Sequence, residues 1–222
     1  MGATIRAGRR EDVPHLVEVK SRLPLNVDDT GGGFLLGASA EEYRRRVDEG
    51  AVWILEVQGG VMGFSVTLGH KTLQREAFWT PQRASGSTVD LAAFVGARPV
   101  AYVDQLAVLP GARAHAPRLA YVTLSAAVQA HDVVLATTVD APVRNRAALP
   151  LLRAAGFVPL GTLTEQYGAL SLRSVLHAVT RERYAAHREQ PLFQAFLRKT
   201  GELPPAGAPR GRAAGISTSA LC

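Results

Sequence analysis

Pro99-Val100-Ala101-Tyr102-Val103-Asp104-Gln105-Leu106-Ala107-Val108, followed by Leu109-Pro110, is the stretch on which the fold turns. Its apolar and β-branched run reads as a buried strand. A Gly/Ala/Arg loop then leads into Arg118–His131, which has helical length and good helix formers, and Val133–Val139 is a second strand. Asn145–Ala155 reads as a short helix despite Pro150, with Gly156 in the C-terminal capping position. Phe157–Thr162 and Leu172–Val179 read as further strands.

Upstream, Ala51–Val57 and Val61–Leu68 are β-branched and aromatic runs joined by Gln58-Gly59-Gly60, the pattern of an antiparallel hairpin. Thr4–Arg6 is a short strand, and Glu11-Asp12-Val13-Pro14 opens a helix running to Lys20. Ser39 and Glu42 have capping-box spacing ahead of a helix that reaches Glu49. Asn26–Gly37, with Gly31-Gly32-Gly33, reads as a flexible loop on the substrate side, and Gly69–Pro99 has no clear period. The order is that of a mixed α/β chain without internal repeats.

With 222 residues, 47% of them hydrophobic, the chain buries one sizeable core. The expected organisation is a domain over residues 1–180, a helical extension over 181–200 and a disordered tail over 201–222, rich in Pro, Gly, Ala and Ser. Cys222 is the only cysteine, which excludes an intramolecular disulfide and a cysteine-rich metal site. The histidines lack metal-ligand spacing, so no metal is expected. Without an apolar leader or a membrane-length segment, a cytoplasmic location is expected, with no membrane partner. The formal charge is +6, but from Arg181 onward seven basic residues face three glutamates, so most of the excess sits in the tail. Nucleic acid is therefore not the expected partner. A homodimer is left open.

The block Tyr102–Pro110, the loop with Arg113, the helix after it, and Asn145-Arg146-Ala147-Ala148 before Ala155-Gly156-Phe157 resemble the GNAT acetyltransferase family. Gly32-Gly33-Phe34-Leu35, Glu42-Tyr43 and Val61-Met62-Gly63-Phe64 extend the resemblance over about Thr4–Thr162. The resemblance implies an α/β fold with a central mixed sheet splayed between its fourth and fifth strands and helices on both faces. It implies acetyl-CoA or another acyl-CoA as co-substrate, bound in that cleft, and a small-molecule amine as acceptor.

On this resemblance Leu106, Ala107 and Val108 offer backbone N–H groups to the acyl carbonyl as it becomes an oxyanion. The following loop, Arg113-Ala114-His115-Ala116-Pro117-Arg118, with Leu119 behind it, corresponds to the pyrophosphate cradle. It departs from the family pattern: Ala116 replaces a glycine, Pro117 lacks a donor, and Arg118 stands where a small residue is usual. Arg118, Arg113 and His115 are then expected to contact phosphates through side chains. The alternative is a solvated basic helix start.

Asp104 is the expected general base, with Glu165 and His70 as weaker candidates; Asp104 is equally a strand-edge acid paired with an arginine. Leu152 occupies the position where many members carry a tyrosine acid, so the thiolate leaves unassisted or takes its proton from water. Asn145 and Arg146 match the position that touches the far end of the cofactor, although Asn145 is equally a helix N-cap. Phe34 and Tyr43 are expected on the acceptor side. The leading expectation is direct acyl transfer. The competing ones are a GNAT-like binding protein that does not use the cofactor, and an acyltransferase fed by a carrier-protein thioester.

Overall fold

Gln58 and Gly59 have φ values of 56° and 79°, the left-handed pair that a two-residue hairpin turn requires. They join β2 (Val52–Val57) to β3 (Gly60–Leu68), as the glycine pattern predicts. The computed structural model describes residues 2–25, 34–76, 90, 93, 96–167, 169–191 and 193–195. The glycine run Gly31–Gly33, Lys199 at the expected end of the C-terminal helix, and the tail from Glu202 lie outside these residues.

β1 (Ala3–Ala7) pairs antiparallel with β2, and β4 (Val100–Val108) antiparallel with the other edge of β3. β5 (Val133–Ala141) lies parallel to β4, β7 (Leu170–Thr180) antiparallel to β5, and β6 (Val158–Tyr167) closes the far edge. The seven-stranded sheet has the order β1-β2-β3-β4-β5-β7-β6.

The parallel junction is short. Val100–Val103 pair with Val133–Ala136 and the ladder stops, although both strands continue to Val108 and Ala141. Beyond this point the sheet is forked, and the Tyr102 hydroxyl and Thr137 Oγ1 are bonded at 2.6 Å in the crotch. On its other side β4 stays paired to β3 through a bulge. Val103 opposes Thr67 and Gln105 opposes Val66, which leaves Asp104 as the extra residue.

α1 (Val13–Ser21) and α2 (Ala40–Asp48) cover one face of the sheet, where Leu16, Tyr43, Ile54 and Phe64 are fully buried. The capping box of α2 is made: the Glu42 N–H donates to Ser39 Oγ at 3.2 Å and the Ser39 N–H to Glu42 Oε2 at 2.7 Å. α3 (His70–Arg75) is a short helix within the stretch where no period is visible in the sequence. α4 (Ala116–Ala130) crosses the opposite face, packing Leu119 on Ile5, Trp53 and Leu55, and Leu124 and Val128 near Val134. Each such side chain removed from water contributes about 1.5–3 kcal/mol.

α5 (Leu149–Ala154) is shorter than expected. Ala148, not Asn145, occupies its N-cap position, because Pro150 sits in the first turn and the Asn145 N–H is bonded back to the Val139 carbonyl at 2.8 Å. The N-cap reading of Asn145 is thereby corrected. Gly156, with φ of 83°, ends the helix as predicted. α6 (Arg181–Arg188) docks on α4: Tyr184 and Phe193 are buried together, and the Tyr184 hydroxyl lies 3.1 Å from Ser125 Oγ. Among the described residues no helix is long and apolar enough to cross a membrane.

Candidate active site

The open fork is the mouth of a cleft of about 720 Å³ bounded by β4, β5, α2, the segment before α2 and the β6–β7 hairpin. The direction of the β4 backbone follows from one bond. The Leu109 N–H donates to the Met62 carbonyl on β3 at 2.9 Å. Backbone groups alternate along a strand, so Ala107 also points to β3, while the N–H groups of Leu106 and Val108 point away from it. That side of β4 is the one β5 has left. Gly63 confirms the direction: a Cβ there would lie 2.5 Å from the Ala107 oxygen, which is turned towards β3. Of the three backbone positions expected at the oxyanion, Leu106 and Val108 face the fork and Ala107 does not.

Asp104 and Glu165 both line the cleft, from the bulge of β4 and from β6. Glu165 Oε2 accepts from Ser174 Oγ at 2.9 Å. Asp104 Oδ2 accepts from Gln105 Nε2 at 3.3 Å, and Gln105 Oε1 accepts from the Tyr43 hydroxyl at 2.9 Å. Tyr43 is wholly buried, with its ring packed edge-on to Phe64 at 5.5 Å. Burial first, and then the Asp104 charge, push its phenol well above the usual tyrosine range. Tyr43 therefore stays protonated and acts as a donor that positions Gln105. Phe34, half-buried, lines the same cleft.

At the rim, Arg46 donates two bonds of 2.7 Å to Glu76 and holds that carboxyl down to about 2. Gln166, Tyr167 and the Tyr102–Thr137 pair complete the walls; the Gly37 N–H donates to the Tyr167 hydroxyl at 3.3 Å, linking the segment before α2 to the β6–β7 hairpin. Gln105 and Tyr167 are cleft positions that sequence reasoning misses, because their partners lie 62 and 130 residues away.

Asn145 lines the cleft, and its amide oxygen is buried with no hydrogen-bond partner among the described residues. Leu152 lines the cleft too, and offers no acid. The loop residues Arg113, Ala114, His115, Ala116, Arg118 and Leu119 do not line it. Pro110–His115 is a 3-10 turn, the Ala116 N–H is bonded to the Arg113 carbonyl, and Leu119 is in the core. Arg118 Nη1 donates to the Ala3 carbonyl at 2.8 Å, which directs the guanidinium to β1. Arg113, Ala114 and Arg146 are exposed. His70 sits at the closed end of β4, where its Nδ1 accepts from the Val100 N–H at 3.4 Å. Among the described residues no group of three His, Cys, Asp or Glu is placed to hold a metal ion.

A forked mixed sheet with donors on the inner edge of its fourth strand defines the GNAT acyl-CoA N-acyltransferase fold, and this chain has it. The chain is similar to the ribosomal-protein-alanine N-acetyltransferase from Brucella melitensis at 17% identity and a TM-score of 0.53, over 80% of this chain and 99% of that one. It is similar to the loading GNATL domain of CurA from Lyngbya majuscula at 15% identity and a TM-score of 0.55, over 82% and 99%. The GphF GNAT-like decarboxylase, in complex with isobutyryl-CoA, is similar at 17% identity and a TM-score of 0.54, over 80% and 99%. At the level of sequence no family model and no curated protein matches the chain.

An acyl thioester with an amide-bearing arm fits the fork on one observation of this structure. The buried Asn145 oxygen requires a donor that the described residues do not supply, and an amide N–H provides one.

Proposed function

We propose that the chain is a thioester-dependent N-acyltransferase, moving an acetyl or related acyl group from acyl-CoA to the amine of a small molecule by direct attack. The observation that carries this reading is the pair of Leu106 and Val108 N–H groups on an unpaired strand edge, facing a cleft that also holds Asp104 and Glu165. Such donors stabilise a developing oxyanion without having to move, the largest single term in most acyl transfers. The neighbour bound to isobutyryl-CoA supports an acyl-CoA as the donor.

In this reading the two carboxylates attract the protonated amine, and Asp104 takes one proton from it. The neutral nitrogen attacks the thioester carbon, the Leu106 and Val108 donors hold the oxyanion, and the C–S bond breaks as the C–N bond is completed. The thiolate leaves without a side-chain acid at Leu152, and the second proton of the attacking nitrogen passes to it through water; a thiol of pKa about 8.5 is a fair leaving group near neutrality. Calorimetric titration with acetyl-CoA, followed by mass-spectrometric screening of amines with acetyl-CoA and longer acyl-CoAs, tests the proposal. Saturable binding and an acylated amine are expected; binding of no acyl-CoA overturns it.

A second reading, a GNAT-fold binding protein without turnover, is favoured by the phosphate loop, where Pro117 lacks a donor and Arg118 is committed to Ala3. It predicts no acylated product from any amine in the same screen.

A further inference from the structure

Across β5 from the acceptor cleft, under α5, lies a second cavity of about 240 Å³ walled by β5, β7, the start of β6 and α5. Val139, Asn145 and Leu152 line both cavities, so the two meet along these residues. Leu152 is thus a partition as well as a missing acid. Most of the wall is apolar, with Leu149, Phe157 and Val175 among its side chains. Its floor is not. Thr138 and His177 are both buried there, 4% and 8% exposed, and bonded Oγ1 to Nε2 at 2.9 Å.

That pair retains hydrogen-bonding capacity after bonding to itself. A neutral imidazole has a second ring nitrogen, and a hydroxyl has both a proton and lone pairs. Three charged groups also face the cavity: Asp140 from β5, Arg144 from the loop after it and Arg153 from α5. Asp140 is already engaged by Arg173 of β7 at 2.6 Å and by Arg144 at 3.5 Å. The lining therefore carries a surplus of positive charge, with polar groups at its inner end and room for a chain of a few carbon atoms.

The geometry points to an acyl-selecting chamber: a short acyl group ending in a carboxylate passes Leu152 from the thioester in the fork and is bonded by Thr138 and His177, with the arginines above it. This inference rests on the proposed thioester site and adds the class of acyl group to it. Burial lowers the imidazole affinity for protons, so His177 is neutral in the empty chamber. A carboxylate arriving beside it reverses that preference, and the chamber takes up a proton as it fills.

The test is calorimetric titration of the full chain with succinyl-CoA and with pentanoyl-CoA, which match in length and differ in the terminal carboxylate. Repeating it near neutral pH in buffers of different ionisation heat reads the proton count. Succinyl-CoA is expected to bind about tenfold or more tightly, the scale of a hydrogen bond to a charged group, with net proton uptake absent for pentanoyl-CoA. His177→Asn should abolish the uptake and most of the preference. Arg153→Gln, on an exposed side chain, should reduce the preference several-fold without disturbing the core, and Thr138→Val serves if His177→Asn does not fold. Equal affinity for the two thioesters overturns the chamber and leaves the thioester reading standing. Binding of neither overturns both. Free succinate producing the same proton uptake as succinyl-CoA would place the carboxylate site outside acyl recognition and overturn the assignment.

Discussion

Tyr43→Phe removes a single oxygen atom from the wall between core and cleft. The phenol donates to Gln105 Oε1 at 2.9 Å with both residues buried, while the ring packs edge-on to Phe64 at 5.5 Å. Phenylalanine keeps that packing, so the loss is the bond to Gln105, the acceptor left unmet there, and the hydroxyl's interaction with the Ala38 backbone. A buried acceptor left without a partner costs about 1–3 kcal/mol. In a chain of this size each kcal/mol lowers the melting temperature by about 2–4 °C, so a fall of roughly 2–12 °C is expected. Urea denaturation and calorimetry measure it. In a Gln105→Ala background the same substitution should cost less, by a coupling of about 0.5–3 kcal/mol. Gln105 also bonds Asp104 at 3.3 Å, so Tyr43→Phe should reduce turnover more than it changes the Michaelis constant for the acyl donor. A variant as stable as the parent, or two costs that simply add, would refute the Tyr43–Gln105–Asp104 chain.

Asp104→Asn should lower turnover by ~10²-fold or more with little change in acyl-donor binding, as steady-state kinetics on an identified acceptor will read; near-normal turnover leaves Asp104 structural. Gly63→Ala places a Cβ 2.5 Å from a backbone oxygen that cannot swing aside, so denaturation should show a loss of about 1–3 kcal/mol. Burial pushes the Tyr184 phenol from 10.0 to about 12. The folded chain then keeps a proton that the unfolded chain releases, so this stability is complete below pH 10.0 and is lost as pH rises towards about 12. Tyr184→Phe should flatten that alkaline limb in urea midpoints taken across the range.

The parts of the fold legible in the sequence are those whose cause is local. Gln58-Gly59-Gly60 specifies a turn, Ser39 and Glu42 cap each other three residues apart, and Gly156 takes a left-handed φ that few side chains tolerate. α3 is not legible: six residues make too short a helix for a period to emerge, and it is held by packing, with Leu73 buried in the core. The start of α5 is misread because Asn145 looks like a cap, whereas its N–H is used by Val139 on β5. For the site, Asp104 can be named in advance as the carboxylate best placed on its strand, and Glu165 as a weaker candidate. Their setting cannot, since Tyr43 meets Gln105 across 62 residues and Thr138 meets His177 across 39. The commitment of Arg118 to Ala3 spans 115 residues and has no sequence signal at all.

The extra residue at Asp104 makes β4 a strand written in two phases. Tyr102 faces the α1–α2 side and Leu106 and Val108 pack with the α4 side, although an even spacing of four separates Tyr102 from Leu106. Strict alternation would put them on the same face. Deleting Asp104 would therefore restore strict alternation and leave the flanking pairs in place, since Val103 already opposes Thr67 and Gln105 already opposes Val66. The ladder would become regular, and β4 would lose the one carboxylate it presents to the cleft. The residue that is surplus to the sheet is the one that gives this strand its charge.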